Sequence, residues 1–413
     1  MKESANCGRG CLGMNAQQQV RIGIVGGGRG WVFASLFACF RESRVAAIAE
    51  RLPARREAIG QSHPEAELFA DYETMLREAN LDAVVVASDP PSHAEHVVLA
   101  LEAGKHALSE VPASLTAEGH FQVLEAVQRT GRHYMLGENC CYWWFVREWQ
   151  RLYRAGELGE ISYGEAEYLH DMPGSHFVDA VGQVRSHREA GAPGVSRNWR
   201  ARFHPIQYLT HSLGPLLWVT GDRCVSVSCQ ATPANRDPMC GSPDIEAALF
   251  RTAAGRVLRV VCGFNTSHPI GHRFSLLGTE ATVQWAGGAN LDQPRMARSD
   301  WDRREWRPMS WSRLREDAPE EARDSGHGGA DWFLARGFLE AVLSGEEPEL
   351  GLHRGMDISF PGVCAAISAE RAGEVIAIPD TRDAGALAEW CRLDYQEPWP
   401  SGSSWRARGA QEG

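Results

Sequence analysis

One short run near the start of the chain limits its fold more than any other: Val20-Arg21-Ile22-Gly23-Ile24-Val25-Gly26-Gly27-Gly28-Arg29-Gly30. The β-branched half reads as a buried strand, and the apolar residues from Trp31 to Phe40 recur at helical spacing. A glycine cluster between a strand and a helix makes a phosphate-binding turn, because free backbone N–H groups and the positive end of the helix dipole meet there. Gly26 is expected to allow the tight turn and Gly28 to let the backbone approach a pyrophosphate. Arg29 and Gly30 complete the turn, with Gly30 standing one position before the usual third glycine of the fingerprint, where Trp31 sits. A second short strand, Val45 to Ala49, ends at Glu50. A carboxylate so placed accepts hydrogen bonds from the ribose hydroxyls and repels a 2′-phosphate, which favours NAD over NADP, although Arg51 beside it softens that preference.

Strand and helix patterns continue to alternate. Leu81 to Ala87 is a near-continuous apolar run, as expected of a strand covered on both faces of a parallel sheet, and it leads into Ser88 and His93. Later strands end at Glu110 and at Glu138-Asn139. Ligands in such sheets bind beyond the carboxyl ends of the strands, so Glu50, Ser88, Glu110 and Glu138 are candidates by position. Beyond this half, Asp244 to Cys262 and Arg273 to Trp285 read as antiparallel strand pairs. The expected fold is therefore α/β, an N-terminal Rossmann domain followed by an α+β domain with a mostly antiparallel open sheet. The boundaries expected are a disordered extension over 1–18, a dinucleotide domain over 19–141, a substrate and oligomerisation domain over 142–385, and a tail over 386–413.

A net charge of −11 gives no general attraction to nucleic acid or to an anionic membrane. The 11 cysteines are scattered, without metal-ligand spacing, so no metal site is expected and a reducing, cytoplasmic setting fits best.

The combination of GGGRG, ASDPPSHAEH, GKHALSEVPASLT and GEN resembles the glucose-fructose oxidoreductase, inositol dehydrogenase and MocA family of NAD(P)-dependent sugar enzymes. That resemblance implies assembly into a homo-oligomer through the C-terminal sheet. It also implies a proton-moving lysine after Glu110, but Val111 stands there and cannot exchange a proton. Further along, Tyr168 and His170 lie two apart on a strand pattern, and Tyr208 and His211 lie three apart on a helix pattern running from Pro205 to Val219. Pro215 is expected to kink that helix at His211. Together with Glu138-Asn139-x-Cys141-Tyr142 and Gly326-His327-Gly328-Gly329, these resemble glycoside hydrolase family 109, the branch of the family that also carries valine in place of lysine.

The resemblance implies that Glu138, Tyr168, His170, Tyr208 and His211 line a sugar pocket, with His211 or Tyr208 as the base. His93, Asn139 and His327 join Gly26, Gly28, Arg29, Gly30, Glu50, Ser88 and Glu110 as the set expected to hold the cofactor. The implied activity is a glycosidase that oxidises C3 of a sugar transiently, removes the C2 proton, eliminates the C1 substituent and recycles NAD. The alternatives are a plain NAD(P)-dependent sugar or polyol dehydrogenase, and a non-catalytic dinucleotide or sugar sensor. The insertion from Asp292 to Asp324, with Trp301, Trp306 and Trp311, is expected to be a lid over the pocket, a solvated loop or a subunit contact.

Overall fold

The computed structural model describes residues 19–172, 176–185, 187–189, 191–236, 241–288, 293–302, 305–309, 318–323 and 325–393. The expected extension over 1–18, the tail beyond 393 and Trp311 lie outside them. Six strands, β1 (Val20–Val25), β2 (Ser43–Ala49), β3 (Glu67–Phe69), β4 (Ala83–Val86), β5 (His106–Ser109) and β6 (Tyr134–Leu136), form a sheet in the order β3-β2-β1-β4-β5-β6. Every neighbouring pair is parallel. Helices α1 (Gly30–Cys39), α2 (Pro53–Ser62), α3 (Tyr72–Glu78), α4 (His93–Glu102) and α5 (Ala117–Thr130) provide the crossovers. Ala83, Val84, Val85 and Val86 are wholly shielded from water at the sheet centre, which is why that strand carries no polar alternation. Helix α5 is stopped at both ends by chemistry legible in the chain: Thr116 accepts from the Gly119 N–H, and Gly131 takes φ +63°.

The order reverses between β1 and β4, and the crevice there is where such sheets take ligands. Gly26 has φ +94°, and a Cβ on it would lie 2.3 Å from the Ala87 carbonyl oxygen. Only glycine fits that turn. Gly30 begins α1 pressed against Ile24, whose Cγ2 would be 2.8 Å from an added Cβ. It thus takes the helix-on-strand packing role of the fingerprint's third glycine despite its shifted position.

The second half follows α6 (Trp144–Arg154). Strands β7 (Ile161–Leu169), β11 (Cys224–Ala231), β12 (Ile245–Thr252), β13 (Val257–Gly263), β14 (Gly271–Gly278), β15 (Ala281–Gly288), β16 (Arg295–Arg298), β17 (Arg307–Pro308) and β18 (Ile376–Ala377) form one sheet. Its order is β17-β16-β15-β14-β7-β13-β12-β11-β18, antiparallel throughout except for the β7–β13 pair. A separate three-stranded sheet, β10-β8-β9, is built from β8 (Phe177–Asp179), β9 (Val184–Arg185) and β10 (Val195–Arg197).

The expected single helix from Pro205 is two pieces. Pro205–Tyr208 is a tight 3-10 turn, and α7 (Thr210–Thr220) follows with Pro215 inside it. The break therefore falls at Leu209 rather than at His211. The cause is that the first turn is tied outward: the Ile206 N–H donates to the Glu246 carboxylate at 2.9 Å and the Gln207 amide donates to the Leu115 carbonyl at 2.8 Å. The long helices Ala330–Ser344 and Leu352–Glu370 close the core, and no helix among the described residues is long and apolar enough to cross a membrane.

Candidate functional site

A single cavity of about 690 Å³ runs from the glycine turn to the face of the second sheet. Gly26, Gly28, Arg29 and Glu50 line one end, Tyr168, Tyr208 and His211 the other, with Ser88, His93, Glu110, Asn139 and His327 in its walls. Of the residues singled out in the sequence, Gly30, Glu138 and His170 stand behind this wall.

The first end is a set of fixed donors and compensated charges. Glu50 is 4% exposed, and its carboxylate accepts from the N–H groups of Gly27 and Leu52, each at 2.8 Å. Arg29 donates to Glu110 at 2.9 Å and forks onto both oxygens of Asp331 at 2.7 and 3.0 Å. Asp331 is wholly buried and also accepts from the Asn139 amide at 2.8 Å and faces His327 Nδ1 at 2.9 Å. Burial alone would raise its pKa, but His327 and Arg29 outweigh that and hold the carboxyl far below the usual range. Asp331 was not singled out in the sequence, yet three of the expected cofactor residues, Arg29, Asn139 and His327, depend on it for their orientation.

His93 lines the cavity among the residues expected to hold the cofactor. Its two ring nitrogens lie 2.8 Å from the carbonyl oxygens of Pro112 and Ser88, so it braces the strand-end loops rather than offering a free polar atom. The Ser88 hydroxyl is in turn 2.9 Å from His96 Nδ1. Val111 lies in the cavity wall and is 1% exposed.

The other end is a cluster of rings. Tyr168 on β7 stacks flat on His170, with centroids 4.0 Å apart, and stands 5.2 Å from His211 and 5.8 Å from Tyr208. His211, in the first turn of α7, has Nδ1 2.9 Å from Glu138 Oε1, and the Glu138 side chain is wholly shielded. The pair leaves Nε2 for a ligand in the cavity. Burial would lower the His211 pKa, but the charge and hydrogen bond of Glu138 prevail and raise it. Tyr208 is pushed up to about 12, mainly by burial and then by Glu110, so its phenol keeps its proton at neutral pH. His170 moves the other way, to about 4, through burial and the neighbouring His211.

His272 belongs to the same ring cluster although no sequence pattern marks it. It pairs with Tyr168 across the β14–β7 register, and its Nε2 is 3.3 Å from that of His170. Arg200 lines the cavity, its guanidinium 4.2 Å over the Trp199 ring and its Nη1 buried with no hydrogen-bond partner among the described residues.

Glu138, Cys140 and His211 bring three ligand atoms within 4.8 Å of one another, close enough to share a cation. The arrangement reads as hydrogen bonding instead, because Glu138 Oε1 accepts from the Cys140 N–H at 3.0 Å while facing His211. The Cys140 thiol is raised by burial and by Glu138, which keeps it protonated. The tryptophan insertion supplies no part of the cavity wall among its described residues. Trp301 packs under the Arg307 guanidinium at 4.2 Å, and Trp306 is exposed. The small β8–β10 sheet does reach the cavity, contributing Val178, Gly182 and Val184 to its wall.

These features suit NAD. The cradle at Gly26 excludes any Cβ, a Cβ on Gly28 would meet only the end of the Arg55 side chain at 3.9 Å, and Glu50 stands where the ribose hydroxyls would arrive.

Comparison with known proteins agrees. Residues 20–138 match a model described as the oxidoreductase family, NAD-binding Rossmann fold, and residues 146–284 match the GFO/IDH/MocA C-terminal domain. Residues 239–385 match the glycosyl hydrolase 109 C-terminal domain. A glycosyl hydrolase family 109 protein of Solibacter usitatus is 26% identical over 406 residues, spanning 87% of this chain and 88% of that protein. One from Streptomyces filamentosus is 27% identical, spanning 87% of this chain and 77% of its own length. Among solved structures, levoglucosan dehydrogenase in complex with NADH and L-sorbose superposes with a TM-score of 0.73 at 20% identity, covering 88% of this chain and all of that one (100%).

Proposed function

The chain belongs to the GFO/IDH/MocA family of oxidoreductases with an NAD-binding Rossmann fold, and from that premise we propose that it is a sugar-active enzyme, a glycosidase working by transient oxidation with NAD recycled. The observation that carries this reading is the His211–Glu138 pair opening onto the cavity while Val111 replaces the lysine of the dehydrogenases. The family 109 relatives support it.

Gly26, Gly28 and Glu50 would hold the dinucleotide, with Arg29, Asn139 and His327 kept in place by Asp331. When bound, NAD⁺ supplies reversible oxidation at C3 of the sugar, which acidifies the hydrogen on C2. His211 Nε2 takes that proton, and Glu138 stabilises the imidazolium that results. Tyr208, with its phenol held in the protonated form, donates a hydrogen bond to oxygen that gains negative charge. Departure of the C1 substituent and addition of water at C1 follow; the proton on His211 exchanges with solvent, and a solvent-derived proton is delivered from His211 to C2 as C3 is reduced again. Arg200 and Trp199 offer hydrogen bonds and a stacking face for sugar hydroxyls and ring.

Turnover in heavy water tests the scheme: the product should carry deuterium at C2 with no net NADH formed. Unlabelled product would overturn it. A second reading, a dehydrogenase that releases NADH, is favoured by the same His211–Glu138 pair, which could equally accept a hydroxyl proton. NADH accumulating in proportion to oxidised sugar would establish that reading in its place.

A further inference from the structure

We propose that the β8–β10 sheet is a cover for the adenosine end of the dinucleotide and makes NAD a resident cofactor that outlasts many turnovers. The sheet grows from the second half of the chain but reaches the first. Its tip residue Gly182 lies so close to Leu52 that an added Cβ would sit 2.4 Å from Leu52 Cδ1. Leu52 is the residue whose N–H donates to Glu50. The tip is therefore anchored within a residue or two of the carboxylate placed for the ribose.

The cover is preformed. Asp179 Oδ1 accepts from the N–H groups of Val181 and Gln183 at 3.0 and 2.9 Å, while its other oxygen holds Arg185. Gly182 takes φ +80°, a conformation that favours glycine. At the base, Phe177 is buried and the Asn198 N–H donates to the His176 carbonyl at 2.8 Å. Val178 and Val184 are cross-strand partners, so they share a face, and both line the cavity together with Glu50, Arg51 and Arg55. Val184 is 61% exposed. An apolar pair facing a cavity beside a ribose-binding carboxylate is the surface an adenine ring would cover.

The inference rests on the dinucleotide site; only its value for turnover rests on the recycling proposed above. The experiment loads the protein with NAD deuterated in the nicotinamide ring, chases with excess unlabelled NAD, and follows retained label by mass spectrometry after gel filtration. The intact protein should keep its label through the column. The Val178→Asp/Val184→Asp variant should lose it at least tenfold faster, as should Gly182→Glu, whose side chain lifts the tip from Leu52. Val181→Asp, on the exposed tip away from the cavity, should exchange like the parent. Equal exchange rates in the parent and in both cover variants, with thermal melts showing all of them folded, would overturn the proposal. No sugar is needed, so slow exchange combined with a failure of C2 labelling would reject the glycosidase reading and leave the cover standing.

Discussion

The two ends of the cavity solve opposite problems. At the glycine turn, the charges are compensated within the fold: Arg29 is shared between Glu110 and Asp331, and Glu50 accepts from two backbone N–H groups beside the Arg55 guanidinium. At the sheet face, aromatic rings and imidazoles surround one carboxylate, and their proton affinities are driven apart, Tyr208 up to about 12 and His170 down to about 4. A phosphate site needs donors that never change state. A proton-transfer site needs groups that do, each biased by its neighbours toward one role. The contrast supports a functional reading of the cavity, because oppositely shifted groups sit side by side in its wall.

Replacing the base should separate the two ends most sharply. His211→Ala is expected to lower kcat by about 10²–10⁴-fold, the range for loss of a general base, while NAD titration is unchanged. Asp331→Ala attacks the opposite end: it strips Arg29 of one carboxylate and frees His327 and Asn139. A loss of about 3 kcal/mol in unfolding free energy is expected, by analogy with a broken buried ion pair, together with weaker NAD binding by calorimetry. If NAD affinity held and only turnover fell, the division between the ends would be wrong.

Glu138→Gln is a finer cut. Glu138 raises the His211 pKa, so the base is competent only above that raised value and the acidic limb of the rate profile should stand above the ordinary histidine range. Removing the charge should move the limb to lower pH and reduce kcat by roughly tenfold. The smallest effect is on stability. His96, His106, His120 and His170 are each lowered to about 4, mainly by burial, so the unfolded chain binds their protons more readily. Their contribution is complete above about pH 6.5, the ordinary histidine value, and is lost as pH falls toward 4. His204 has the opposite sign, because Glu246 and Glu370 raise its pKa against burial. Its contribution is present below the ordinary value and lost as pH climbs through the raised one, and thermal melts across pH would read both slopes.

The fold was legible where local chemistry decides it. The apolar run of β4, the Gly26 turn and Glu50 could be placed from spacing alone. The ring cluster was legible in part, since Tyr168 and Tyr208 with His211 follow strand and helix periods. His272 was hidden because only the β14–β7 register sets it opposite Tyr168. The cover was hidden too: strands of two or three residues in a glycine-containing polar stretch carry no period, whereas the tryptophan insertion drew the eye by composition. Asp331 looked like an ordinary acidic residue in the first turn of a helix, and its partners are remote in sequence.

Arg29 and Asp331 are 302 residues apart in the chain. During synthesis all six strands of the parallel sheet leave the ribosome long before the aspartate does, so in a Rossmann half that folds first Arg29 is held by Glu110 alone. The fork from Arg29 onto Asp331 is thus completed only when the helix Ala330–Ser344 has docked, which ties the final shape of the glycine-turn end to near-completion of the whole polypeptide.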